Sequence, residues 1–88
     1  MKYIKNPKCK IRKENDGFIV FIPSVGPLWF NETAVDILNL ISELSHPDSV
    51  VSAMMSKYDN MKVDDIRKDI ERTLAILEMT ECIYEVKE

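Results

Sequence analysis

Apolar and polar positions change their period once along the chain, and the change falls at Asn31. Before it, apolar residues alternate with polar ones or gather in short runs. After it, they recur every three or four positions. Lys8-Cys9-Lys10-Ile11-Arg12 alternates, as a half-buried strand does. Glu14-Asn15-Asp16-Gly17 is turn chemistry, with Asp-Gly suited to the positive φ of a tight hairpin. Phe18-Ile19-Val20-Phe21-Ile22 is β-branched and aromatic, which predicts a second strand. Pro23 to Pro27 make a second turn, and Leu28-Trp29-Phe30 form a third strand. Connections this short imply an antiparallel meander. Met1 to Pro7 reads as an irregular lead-in with a short extended piece at Tyr3-Ile4.

Three helices are predicted next. Asn31 is placed to cap the first, since its side-chain oxygen can accept from an amide of the first turn, and Glu32 then suits the helix dipole. Ala34, Ile37, Leu38, Ile41 and Leu44 make the first core-facing stripe. Ser45-His46-Pro47-Asp48 breaks it, with Pro47 suited to a first helical position. The second helix carries Val50, Val51, Met54, Met55 and Tyr58, and Asp59-Asn60 ends it. Val63, Ile66, Ile70, Leu74 and Leu77 form the stripe of the third. Cys82 to Val86 alternates again, as a short terminal strand or an ordered tail. The pattern is that of one α+β domain over residues 1–88, three strands followed by three helices.

Composition narrows the function. The formal net charge of −3 disfavours a nucleic-acid partner. No stretch approaches the roughly 20 apolar residues of a membrane span, and the basic N-terminus lacks the apolar core of a signal peptide, which places the chain in the cytoplasm. Cys9 and Cys82, with His46 elsewhere, have no metal-ligand spacing, so no cofactor is expected. In a reducing compartment they read as free buried thiols rather than a redox pair. His46 reads as a turn residue, and Met54 and Met55 as core filler. The charges of the third helix read as a solvated face, Asp69 excepted because it flanks the apolar stripe. No nucleophile and base, and no paired carboxylates in a pocket, point to an enzyme.

The third strand carries the functional expectation. Leu28 and Phe30 point to one face and Trp29 to the other, where either the chain termini cover it or it stays open. In a three-strand meander this strand is an edge, able to pair with an extended peptide beside the third helix.

At these residues the chain resembles the PqqD-like recognition elements of ribosomally made, modified peptides (RiPPs), small winged helix-turn-helix-like domains. Phe30-Asn31-Glu32-Thr33-Ala34 with Ile37-Leu38 is close to that family's Leu-Asn-Glu-Thr-Ala followed by Ile-Leu. Asp69-Ile70, Thr73-Leu74 and Leu77 are similar to its third helix, and Tyr58 to the aromatic ending its second. Two places depart: Glu43-Leu44-Ser45-His46 stands where the family often has Asp-Gly, and Glu81-Cys82-Ile83 where it has Gly-Leu-Leu. Glutamate is poor at the left-handed cap that glycine provides.

The resemblance implies leader-peptide binding, with Leu28, Trp29 and Phe30 as strand partners. Ile66, Asp69, Ile70, Thr73, Ile76 and Leu77 are implied on the helix. It implies two partners, a precursor peptide and a maturation enzyme such as a leader peptidase or a radical SAM enzyme. The alternative is a winged-helix DNA-binding regulator. The third helix, with four cations against five carboxylates between Lys62 and Glu78, has the wrong sign for it.

Overall fold

The computed structural model describes residues 2–44, 46–58, 60 and 62–86. Its elements run β1 (Lys2–Lys5), β2 (Lys10–Lys13), β3 (Phe18–Ile22), β4 (Gly26–Phe30), α1 (Glu32–Leu44), α2 (Pro47–Lys57), α3 (Val63–Met79) and β5 (Ile83–Val86). Ser45 and Asp59, read as helix breaks, and the side chain of Leu44 lie outside the described residues. The strands β2, β3 and β4 pair antiparallel in sequence order. That sheet is the expected meander.

A second sheet was not expected. The extended piece expected at Tyr3-Ile4 lies in β1, and the alternating stretch near the C-terminus forms β5. The two pair antiparallel, Ile4 beside Tyr84, although the rest of the lead-in reads as irregular in the sequence. Between β1 and β2 the nearly buried Asn6 ties the two ends of the chain. Its backbone N–H donates to the Cys82 carbonyl at 2.8 Å and its side-chain amide to the Glu81 carbonyl at 2.9 Å. Its side-chain oxygen accepts from the Lys8 N–H at 2.9 Å.

Those carbonyls belong to the end of α3. The Cys82 N–H donates to the Leu77 carbonyl and the Glu81 N–H to that of Glu78, the double closure of a Schellman motif. The motif needs a left-handed residue, and Glu81 occupies the place at φ 64°. A non-glycine residue there costs about 1–2 kcal/mol. The Asn6 amide and a Ser24 hydroxyl that donates to the Glu81 carboxylate at 3.1 Å offset that cost.

The core is continuous. Val20 and Ile22 of β3 meet Ile37, Leu38 and Ile41 of α1, Val50 and Met54 of α2, and Ile66, Ile70, Leu74 and Leu77 of α3. Val63, assigned to the α3 stripe, lies 45% exposed instead, at the first position of the helix. As predicted, the Ala34 N–H donates to the Asn31 side-chain oxygen at 2.9 Å, which satisfies an amide the helix leaves open.

The two glycines serve different ends. Gly26 takes the positive φ, 100°, after the second turn. Gly17 does not, contrary to the expectation for Asp-Gly. A Cβ on Gly17 would meet the Trp29 ring at 2.4 Å, so the site needs glycine for space.

Cys9 and Cys82 are free and buried, as expected, and their thiols are hydrogen-bond neighbours. Burial, and then the neighbouring Cys82, push the Cys9 thiol from 9.0 up to about 11, against a smaller opposing pull from Lys5. Burial also raises Cys82.

Two outcomes follow from this packing. Asn6→Ala leaves the Glu81 carbonyl and the Lys8 N–H without their side-chain partner and should cost about 1–3 kcal/mol in urea unfolding. A loss below about 0.5 kcal/mol would mean that Asn6 does not hold the two ends together. The raised thiols make stability fall in alkali. The native state keeps its thiol protons where the unfolded chain loses them. The contribution is therefore complete below pH 9.0 and lost toward about pH 11. Unfolding midpoints across that window should decline, and less steeply in Cys9→Ala; equal slopes would contradict the assignment.

Candidate functional site

The three-stranded sheet has two edges, and they differ in chemistry. On β2 the residues are Lys10, Ile11, Arg12 and Lys13. Charges of this density on an edge repel a further strand and keep the edge solvated. On β4 the residues are Gly26, Pro27, Leu28, Trp29 and Phe30, without a charge. Proline lacks a backbone N–H and is found in sheets at edges, which fits Pro27 and leaves Leu28 to Phe30 as the stretch able to pair in full.

Register fixes the faces of β4. Leu28 stands beside Val20 and Phe30 beside Phe18, on the core side. Phe30 is half-buried and packs against the core. Trp29 stands beside Ile19 on the outer side and is 56% exposed. Among the described residues the terminal strands β1 and β5 pair with each other, in a sheet separate from that of Trp29.

Three helices enclose a pocket of about 110 Å³. Its apolar walls are Ile37, Met54, Ile66 and Ile70, and its polar lining is Thr33, Tyr58 and Asp69. Each element delivers its residues for a local reason. The Asn31 cap starts α1 so that Thr33, three residues past Phe30, carries the chain from β4 to the pocket wall. Tyr58 closes α2, its N–H bonded to the Met54 carbonyl at 2.9 Å. Its hydroxyl donates to the Asp36 carboxylate at 3.4 Å, and that carboxylate also pairs with Lys57. Asp69 is half exposed and 3.7 Å from Arg72 one turn on, which leaves it open to a second partner.

The expected site residues thus divide. Ile66, Asp69 and Ile70 line one pocket. Leu77 and Ile70, at 0% and 1% exposure, belong to the core beneath the α3 surface. Thr73 is half-buried and Ile76 is 46% exposed, one and two turns past Asp69. Leu28, Trp29 and Phe30 stand apart on β4. Thr33, Ile37 and Met54 were not expected at a site. Met54 is core filler, as read, and also part of the pocket wall. Tyr58 was noted only as the aromatic ending its helix.

Among the described residues no group of three or more His, Cys, Asp or Glu side chains could hold a metal ion. No helix there is long and apolar enough to cross a membrane.

Comparison with solved structures finds two close matches in fold. One is TbiB1 in complex with the TbiA(beta) leader peptide, at TM-score 0.78 and 15% identity over 97% of this chain and 99% of that one. Another is lasso peptide synthetase B1 complexed with the leader peptide, at TM-score 0.78 and 17% identity over 97% and 100%. Among curated proteins there is no significant match. The family model for coenzyme PQQ synthesis protein D (PqqD) matches residues 19–83. That span runs from β3 to the start of β5 and holds both β4 and the pocket, so the chain belongs to the PqqD family.

Proposed function

We propose that the chain binds the leader segment of a ribosomally made precursor peptide as a strand added to β4, and presents it to a maturation enzyme. One observation carries the reading: an uncharged sheet edge is followed, three residues past its end, by Thr33 in the lining of an apolar pocket that also holds a carboxylate. The other edge of the same sheet is guarded by three cations. Both solved neighbours were captured with leader peptides, which supports the same use of this fold.

The roles are separate. Backbone bonds along Leu28 to Phe30 supply affinity that is indifferent to side chains, and pockets supply selectivity. An aliphatic peptide residue suits the walls formed by Ile66 and Ile70. Asp69 suits a cationic or hydroxyl-bearing neighbour. The chain itself forms and breaks no covalent bond in this scheme. It raises the local concentration of the peptide near an enzyme that does, such as a leader peptidase or a radical SAM enzyme.

The length of peptide engaged is set by geometry. A strand rises about 3.3 Å per residue, so the edge and the neighbouring helix surface accommodate roughly 8–12 residues. Nested leader fragments from a precursor encoded beside the gene should bind with micromolar or tighter affinity, about −8 kcal/mol, without the modified core. The peptide mass should be unchanged after incubation with the chain alone. Asp69→Ala should weaken this binding while leaving stability within about 0.5 kcal/mol. Leu74→Ala, in the core at 5% exposure, should cost about 2–5 kcal/mol of stability. Titration calorimetry and thermal melts separate the two. Binding that requires the core peptide, or an Asp69→Ala protein that melts early yet binds normally, would overturn the assignment.

A further inference from the structure

Trp29 is the largest exposed side chain on the edge strand, and it faces away from α3 and the pocket. Its row across the sheet is Arg12, Ile19, Trp29, from β2 to β4. The next row is Lys10, Phe21, Pro27. The outer face is therefore apolar toward β4 and cationic toward β2. Trp29 is 56% exposed and Phe21 43%.

The Trp29 ring is nonetheless held. Atoms Cζ2 and Cε2 lie 2.4 and 2.8 Å from where a Gly17 Cβ would stand, so the ring rests on the bare backbone of the β2–β3 turn. An indole seated on one side and open on another is a preformed surface, with little side-chain freedom left to lose on contact.

We infer that Trp29 reads the outward-facing side chains of the bound peptide, so that the added strand is recognised on both faces. The inference rests on the strand-addition reading above. A strand beside β4 places one residue in the row of Trp29, next to it on the outer face, while its two sequence neighbours face Leu28 and Phe30 on the inner side. Aromatic rings pair across strands with β-branched and aromatic residues. The charges in the two rows are Lys10 and Arg12, and the Glu14 carboxylate beside them is already held by Arg12 at 2.6 Å. The peptide position opposite Trp29 should therefore be apolar and β-forming. The pattern sought is three consecutive apolar residues, the outer two facing inward and the middle one facing Trp29. Selectivity then depends on a face of the sheet that contributes nothing to the helical pocket.

A random library of twelve-residue peptides displayed on phage supplies the probe, selected in parallel against the full chain, Trp29→Phe and Trp29→Thr. Selected peptides are checked for cross-strand contacts to β4 by NMR. The wild-type chain and Trp29→Phe should both select an apolar β-former between the two inward positions. Trp29→Thr keeps the strand but should select only the inward pair. In titrations, replacing the middle peptide residue with Ser should weaken wild-type binding about threefold and leave Trp29→Thr unaffected. Peptides that add to β4 with the same middle preference in all three chains, or with none in the wild type, would overturn the role of Trp29 and leave strand addition standing. Selected peptides that make no contact with β4 would overturn strand addition, and this inference with it.

Discussion

The hydrogen bonds around Asn6 decide where the two ends of the chain go, and with them which strand edge stays open. Asn6 holds the carbonyls of Glu81 and Cys82, so β1 and β5 are brought together and use each other's backbone groups. Were either terminal strand free to lie on β4, that edge of the sheet would be closed. The left-handed Glu81 is where this constraint meets its cost, and Asn6 and Ser24 both bond to that residue. A feature at the far end of α3 thus bears on the strand that precedes α1.

Charge then distinguishes the two remaining edges. The three cations of β2 belong to a basic N-terminal stretch on an otherwise acidic chain. Charges on an edge disfavour the addition of a further strand there. The uncharged β4 has the opposite character, and Pro27, which lacks a backbone N–H, leaves Leu28 to Phe30 as the stretch with full backbone hydrogen-bonding capacity. Because Asn31 caps α1 immediately afterwards, the same few residues end the strand, start the helix and place Thr33 in the pocket. Through that short connection Thr33 links the end of the strand to the pocket lining.

What the sequence made legible was local. The Asn31 cap, the meander and the three helices rest on spacing, turn chemistry and apolar period, each readable within a dozen residues. The β1–β5 pairing was not readable, since four-residue strands about eighty positions apart announce no partner. Glu81 was recognised as a poor left-handed residue, but the groups that hold it there, Asn6 and Ser24, are distant in sequence. Gly17 was assigned to the right turn for the wrong reason. Its spatial neighbour Trp29 lies across the sheet, and no turn statistic contains that contact. Of the site, Asp69 stood out by flanking a stripe. Thr33 and Met54 did not, because a pocket between three helices depends on packing rather than on period.

The central claim is that peptide enters as a strand on β4 and not on β2. Amide hydrogen exchange, measured with and without a saturating leader fragment, tests it most directly. Strand addition predicts that the outward-pointing amides among Leu28, Trp29 and Phe30 gain protection while those of Lys10 to Lys13 keep their free rates. Saturated binding that leaves the β4 amides unprotected, or that protects β2 instead, would contradict the account.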